Sequence, residues 1–229
     1  MLNDSLLNLL QLADPTLPIG GYAHSAGLET YVQQGVVKDV ITASRFIANM
    51  LTESLQFTDA AFASLAFDAT PKHDLHNLLL LDDECTAVKL PEETRLASQK
   101  LGMRLIKNFQ PLCNSDTGGQ YLNAIRAKKA KGHYCIAFGV YAQALLVNKT
   151  AALTGFYYNA AAGMVTNSVK LIPLGQHDGQ KILFALQPLI QKLVRSTLQP
   201  DKELIGRCCP GFDIRCMQHE RLYSRLYMS

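Results

Sequence analysis

The sequence predicts an all-α protein. Apolar residues recur at three- and four-residue intervals nearly everywhere, and no long alternating run of the kind a half-buried strand requires occurs. Apolar residues make up 48% of the 229 and charged residues only 18%, so there is ample material for a core and little for a heavily solvated surface. A chain of this length can form one compact unit. The expectation is a single domain over residues 1–229, about ten helices in an orthogonal, irregular bundle.

The first helix should stop near Asp14. Pro15 and Pro18 fix their own φ and push Asp14 and Leu17 toward extended backbone, while Gly20 and Gly21 permit angles closed to other residues. Ser25 is then placed to cap a helix running through Leu28 and Tyr31 toward Gly35, which gathers Tyr22, His24 and Glu29 around one helix start. Asp39 caps the next helix, carrying Val40, Phe46, Ile47, Met50 and Leu51. An apolar stretch from Ala60 to Phe67 follows, broken by Thr70-Pro71-Lys72. A short helix is expected over Leu75 to Leu81, and a longer one from Glu92 to Phe109 after Pro91, which suits a first turn. Asn114 to Gly119 reads as a loop. Three helical stretches come next, over 120–130, 133–147 and 151–168. A connector from Val169 to Gln180 leads to a helix over 179–198 whose stripe is Ile182, Leu183, Leu186, Leu189, Ile190, Leu193 and Val194. Asp178 is its expected N-cap, and Pro188 should bend it. The last thirteen residues, Met217 to Ser229, combine tyrosine with arginine at helical spacing.

Composition excludes several classes. No stretch reaches the roughly 18 uninterrupted apolar residues that span a membrane, and the N-terminus lacks a basic region before its leucines, so a cytoplasmic protein is expected. Six cysteines are scattered without zinc-site pairing or disulfide density, which reads as reduced thiols. The net charge of +3 is mild. Positive residues concentrate only at Arg126, Lys128, Lys129 and Lys131, where a helix C-terminus accounts for them better than nucleic acid does.

Nucleotide chemistry finds no support. No Gly-x-x-x-x-Gly-Lys-Ser/Thr pattern occurs, and Gly20-Gly21 follows no parallel strand. For nucleophilic catalysis, His24, Ser25 and Glu29 cluster at one helix start, but neighbouring helical residues rarely face each other. A small all-α, metal-dependent hydrolase using these three is one alternative. His73-x-x-His76 and Cys216-x-x-His219 could each place two metal ligands on one helical face, half of what structural zinc needs. A metal-storage protein using that quartet is the other alternative. His24, Cys216 and His219 are weak metal candidates. In the Val169–Gln180 connector, Lys170, Gln176, Asp178 and Gln180 gather at a helix N-terminus, suited to an acidic or phosphate-bearing partner. In the C-terminal tail, Arg221, Tyr223 and Arg225 are residue types that favour interfaces.

Three segments together resemble the urease accessory protein UreF family. Leu17 to Glu29, reading Leu-Pro-Ile-Gly-Gly-Tyr-Ala-His-Ser-Ala-Gly-Leu-Glu, matches its first segment, Val169 to Gln180 its second connector, and His219 to Ser229 its tail. The resemblance runs from Leu7 to Ser229, more loosely over 57–118. It implies an all-helical homodimer without enzymatic activity, a chaperone for nickel insertion that bridges UreD, also called UreH, to the GTPase UreG and acts on apo-urease. It implies partner contacts at Tyr22, His24, Ser25, Glu29, Lys170, Gln176, Asp178, Gln180, Arg221, Tyr223 and Arg225, with the tail 217–229 docking on a partner. It implies no catalytic residue, no stably bound cofactor, nickel in transit, and neither nucleic acid nor membrane as partner.

Overall fold

Glycine at position 139 shows how the molecule is put together. A Cβ there would lie 2.3 Å from the Ala63 carbonyl oxygen and 2.9 Å from the Phe67 nitrogen, so two helix backbones meet at the centre with no room for a side chain. The computed structural model describes residues 4–21, 25, 27–207, 209–223 and 225–226. Among them there are twelve α-helices and no strand. In chain order these are α1 (Asp4–Leu12), α2 (Leu28–Gln33), α3 (Val40–Asn49), α4 (Asp59–Ala69), α5 (Leu75–Val88), α6 (Glu92–Cys113), α7 (Asp116–Arg126), α8 (Tyr134–Ala144), α9 (Lys149–Leu171), α10 (Gln176–Ala185), α11 (Gln187–Thr197) and α12 (Pro210–His219). The all-α expectation holds, with two more helices than the sequence suggested.

The middle of the bundle is α8. Cys135 through Ala142 are all buried, and a helix apolar on every side belongs at a centre rather than on a surface. It packs against α4 on one side and α6 on another, while the 23-residue α9 lies across α10, α11 and α4. Phe138 meets Phe156 edge-on at 5.0 Å between ring centroids, and Phe62, Phe109, Tyr121, Tyr141 and Tyr157 are also fully buried. Each such side chain contributes roughly 1.5–3 kcal/mol through burial.

Local signals succeed where caps are explicit. Asp39 accepts from Thr42 N–H at 2.8 Å, and the Thr42 hydroxyl reaches back to the Asp39 amide, a reciprocal capping box. Asp74 and Ser115 cap α5 and α7 more simply, their side chains accepting from the Asn77 and Gly118 N–H groups. Several expectations need correction. Ser25 does not cap α2; Gly27 does, at φ +78°, and the Ser25 hydroxyl is buried without a hydrogen-bond partner. Asp178 is no N-cap, because α10 begins two residues earlier with Gly175 at the cap. The helix expected over 179–198 is two helices interrupted at Leu186, with Pro188 in the first turn of α11, where its missing N–H costs nothing. Asp116 to Gly119, read as loop, belong to α7, because Ser115 supplies the cap that lets the helix start ahead of two glycines. The helix read as Leu75 to Leu81 continues to Val88.

Candidate functional site

The first and last motifs, nearly 200 residues apart, meet along α2 and α12. Gly27 lies so close to α12 that a Cβ on it would stand 2.7 Å from Cys216 Sγ. The Thr30 hydroxyl donates to the Arg215 carbonyl at 3.0 Å, the Gln34 amide to Gln218 Oε1 at 3.0 Å, and the Arg215 guanidinium sits 4.5 Å above the Tyr31 ring. With these contacts the two helices form one surface.

At its centre is a polar clasp. Glu29, in the first turn of α2, is only 4% exposed, and His219, at the end of α12, is fully buried. The His219 ring faces Glu29 Oε2 through Nε2 at 3.2 Å and Glu93 Oε2 through Nδ1 at 2.7 Å. Glu93 comes from the first turn of α6, so three helices converge on one imidazole. Carboxylates only accept, so the ring serves both of them fully when each nitrogen carries a proton. The chain beyond α12 completes the cluster: Arg225 Nη1 donates to Glu93 Oε1 at 2.7 Å, and the Leu226 N–H donates to Glu29 Oε1 at 2.8 Å. Buried carboxylates remain in a fold when opposite charges and N–H donors surround them in this way. The clasp pins the tail by its backbone and one guanidinium. Tyr223 is wholly exposed and Leu226 66% exposed.

This arrangement decides several sequence expectations. Glu29, His219 and Arg225 are brought together. Arg221 and Tyr223 are exposed beyond the end of α12, and the described tail is not helical past His219, so the helical spacing read over Met217 to Ser229 does not continue through Arg221 and Tyr223. Tyr22 and His24 lie outside the described residues. Cys216 and His219 do share one buried side of α12, but both nitrogens of His219 are engaged by carboxylates, and burial pushes the Cys216 thiol up to about 12. His73 precedes α5 in left-handed backbone (φ +49°), off the helical face that His76 occupies. Among the described residues no group of three or more His, Cys, Asp or Glu is placed to hold a metal ion. Ser25 is 1% exposed with its hydroxyl unbonded, and neither of the two best-formed cavities, about 370 and 270 Å³, is lined by Ser25, Glu29 or Glu93. A nucleophile there has neither access nor a described base.

The second motif stands apart. Lys170 is exposed on the last turn of α9; Gln176 and Gln180 are exposed at the start of α10, and Asp178 pairs loosely with Lys181 at 3.5 Å. None of the four makes a hydrogen bond or ion pair to the clasp residues. Sequence reasoning missed Glu93 entirely. Two glutamates after a proline read as ordinary first-turn acids that suit the helix dipole, and nothing in their spacing points 126 residues onward to His219.

Fold and site define an all-helical protein in which α2 of the N-terminal motif and a C-terminal segment, fastened through the buried Glu29 and the partly buried Glu93, form one composite surface. Comparison with known sequences supplies the rest. The UreF family profile matches residues 37–187. Urease accessory protein UreF of Actinobacillus pleuropneumoniae is 48% identical over 221 residues, covering 96% of this chain and 97% of that protein. The UreF proteins of Haemophilus influenzae and of a Bacillus species are 46% and 39% identical, over 100% and 98% of this chain and 98% and 99% of theirs. The chain belongs to the UreF family of urease accessory proteins.

Proposed function

We propose that this chain is a non-enzymatic, cytoplasmic accessory subunit in nickel insertion into urease: a homodimer that bridges UreD (UreH) to the GTPase UreG, modulates GTP hydrolysis, and delivers that assembly to apo-urease. The observation that carries the reading is the Glu29–His219–Glu93–Arg225 clasp. It presents the exposed tail residues Tyr223 and Leu226 beside α2 on a fixed base, an arrangement suited to docking. The exposed Lys170, Gln176 and Gln180 give a second, separate face, so two partners can be held at once. The sequence has no phosphate-binding loop of its own, which fits a GTPase partner that supplies the nucleotide site. In this reading nickel is cargo handed through the assembly, with no stable site in this chain. Among the described residues no helix is long and apolar enough to cross a membrane.

Activation of apo-urease in a reconstituted mixture tests this. Glu29→Ala should weaken retention of one partner, and Lys170→Ala retention of the other, each with lower urease activation and an unchanged helical circular-dichroism spectrum. Full activation by both variants would overturn the reading, as would steady turnover of a substrate by the isolated chain.

A further inference from the structure

The sequence alone attributes Arg126, Lys128, Lys129 and Lys131 to the electrostatics of a helix end. In the structure, backbone amides already close that end: Lys128 N–H donates to the Ile125 carbonyl at 3.0 Å and Lys129 N–H to the Ala124 carbonyl at 2.9 Å. All four side chains are exposed, and none makes a hydrogen bond or ion pair with another described residue. They also carry the whole positive excess of the chain: without them 18 basic residues stand against 19 acidic ones.

The loop that displays them is fixed from beneath. Asp82, fully buried on α5, accepts from the backbone N–H of Lys131, from Gly132 at 3.0 Å and His133 at 3.2 Å, and from the Tyr121 hydroxyl. The Gly132 carbonyl oxygen lies where a Cβ on Gly102 would be, at 2.1 Å, so α6 closes the other side. Lys128 is held at φ +60°, a conformation unfavourable to a residue with a Cβ. These anchors hold the loop in one conformation, so its cations are displayed without an ordering cost on binding.

We propose that the 126–131 loop is a docking edge for an acidic polypeptide segment of a partner protein. An extended carboxylate-rich strand can meet four cations spaced along one short, rigid turn, whereas a nucleic acid needs a longer basic track with aromatic faces for its bases. The large exposed aromatics among the described residues, Tyr158, Phe184 and Tyr223, lie on other elements. The proposal is independent of the nickel-insertion reading.

Fluorescence anisotropy of the full chain with a labelled glutamate decamer tests it at low salt. Binding should weaken at least about tenfold in Lys128→Glu/Lys129→Glu, and less than about twofold in Lys100→Glu/Lys107→Glu, which changes net charge equally on exposed positions of α6. A DNA decamer should bind more weakly than the peptide. Equal losses in both double variants, no peptide binding, or tighter binding of the DNA would each overturn the proposal. Because all four substituted side chains are exposed, circular dichroism should show both variants folded.

Discussion

Glu29→Gln isolates the clasp from everything else in the molecule. The substitution keeps size and shape, but leaves one oxygen where the carboxylate's two oxygens separately meet the His219 ring and the Leu226 N–H among the described residues. Whichever donor loses its acceptor gives up a charge-assisted hydrogen bond, worth about 2 kcal/mol. Since every 1.4 kcal/mol is about tenfold, the population of molecules with the tail lifted should rise roughly 30-fold. Trypsin reads this directly. Cleavage after Arg225 requires its guanidinium to leave Glu93, and when opening is fast the cleavage rate follows the open population. The expected result is cleavage after Arg225 about 30-fold faster, with the melting temperature of the body nearly unchanged, because α12 keeps its contacts to Thr30 and Gln34. Equal cleavage of variant and wild type would refute the account of the clasp. So would faster cleavage throughout the chain with a large fall in melting temperature, which would make Glu29 a residue of global stability.

Other predictions concern the body. Asp82→Asn places an amide donor among four donors, and should cost about 3–5 kcal/mol by urea denaturation; less than about 1 kcal/mol would contradict the role given to this carboxylate. Burial opposes charge on both Asp59 and Lys89, yet their mutual attraction at 2.7 Å wins, lowering Asp59 below its ordinary 3.8 and raising Lys89 above 10.5. The stabilisation from Asp59 is therefore complete above about pH 4 and lost as pH falls through its lower folded value; that from Lys89 is complete below about pH 10 and lost progressively as pH rises toward its higher folded value. Urea midpoints measured from pH 2 to 11 should fall at both ends, and Asp59→Asn should flatten the acid limb; an unchanged limb would assign acid sensitivity elsewhere. Gly139→Ala should cost at least about 1–3 kcal/mol by overpacking α8 against α4, and a neutral result would mean that the two helices separate easily.

How much of this was legible in the sequence depends on range. Asp39 and the apolar runs of α8 and α9 act within one or two turns, and reading them gave the right elements, whereas the single stripe read over 179–198 is divided between α10 and α11. Cap competition was harder: Ser25 and Gly27 both suit a helix start, and the close approach of Cys216 to Gly27, a tertiary fact, decides between them. Likewise Ser115 overrides the glycines that made 116–119 read as loop. In the site, Glu29 and Arg225 were identified through motif resemblance, and periodicity had no means of joining them. Glu93 and the Leu226 N–H were invisible, because a buried ion cluster assembled from three helices and a tail leaves no local pattern. His219 was seen as a metal candidate for a sound reason, an imidazole three residues after a thiol, and only its two carboxylate neighbours show what occupies its nitrogens.

The central claim is that this chain works by holding partners on two separate faces. Native mass spectrometry of the chain mixed with UreD and UreG, with and without guanine nucleotide and nickel, measures that most directly. The account predicts one assembly containing all three proteins, which loses one partner on Glu29→Ala and the other on Lys170→Ala. Failure of the unmodified chain to join either partner under any of these conditions would contradict it.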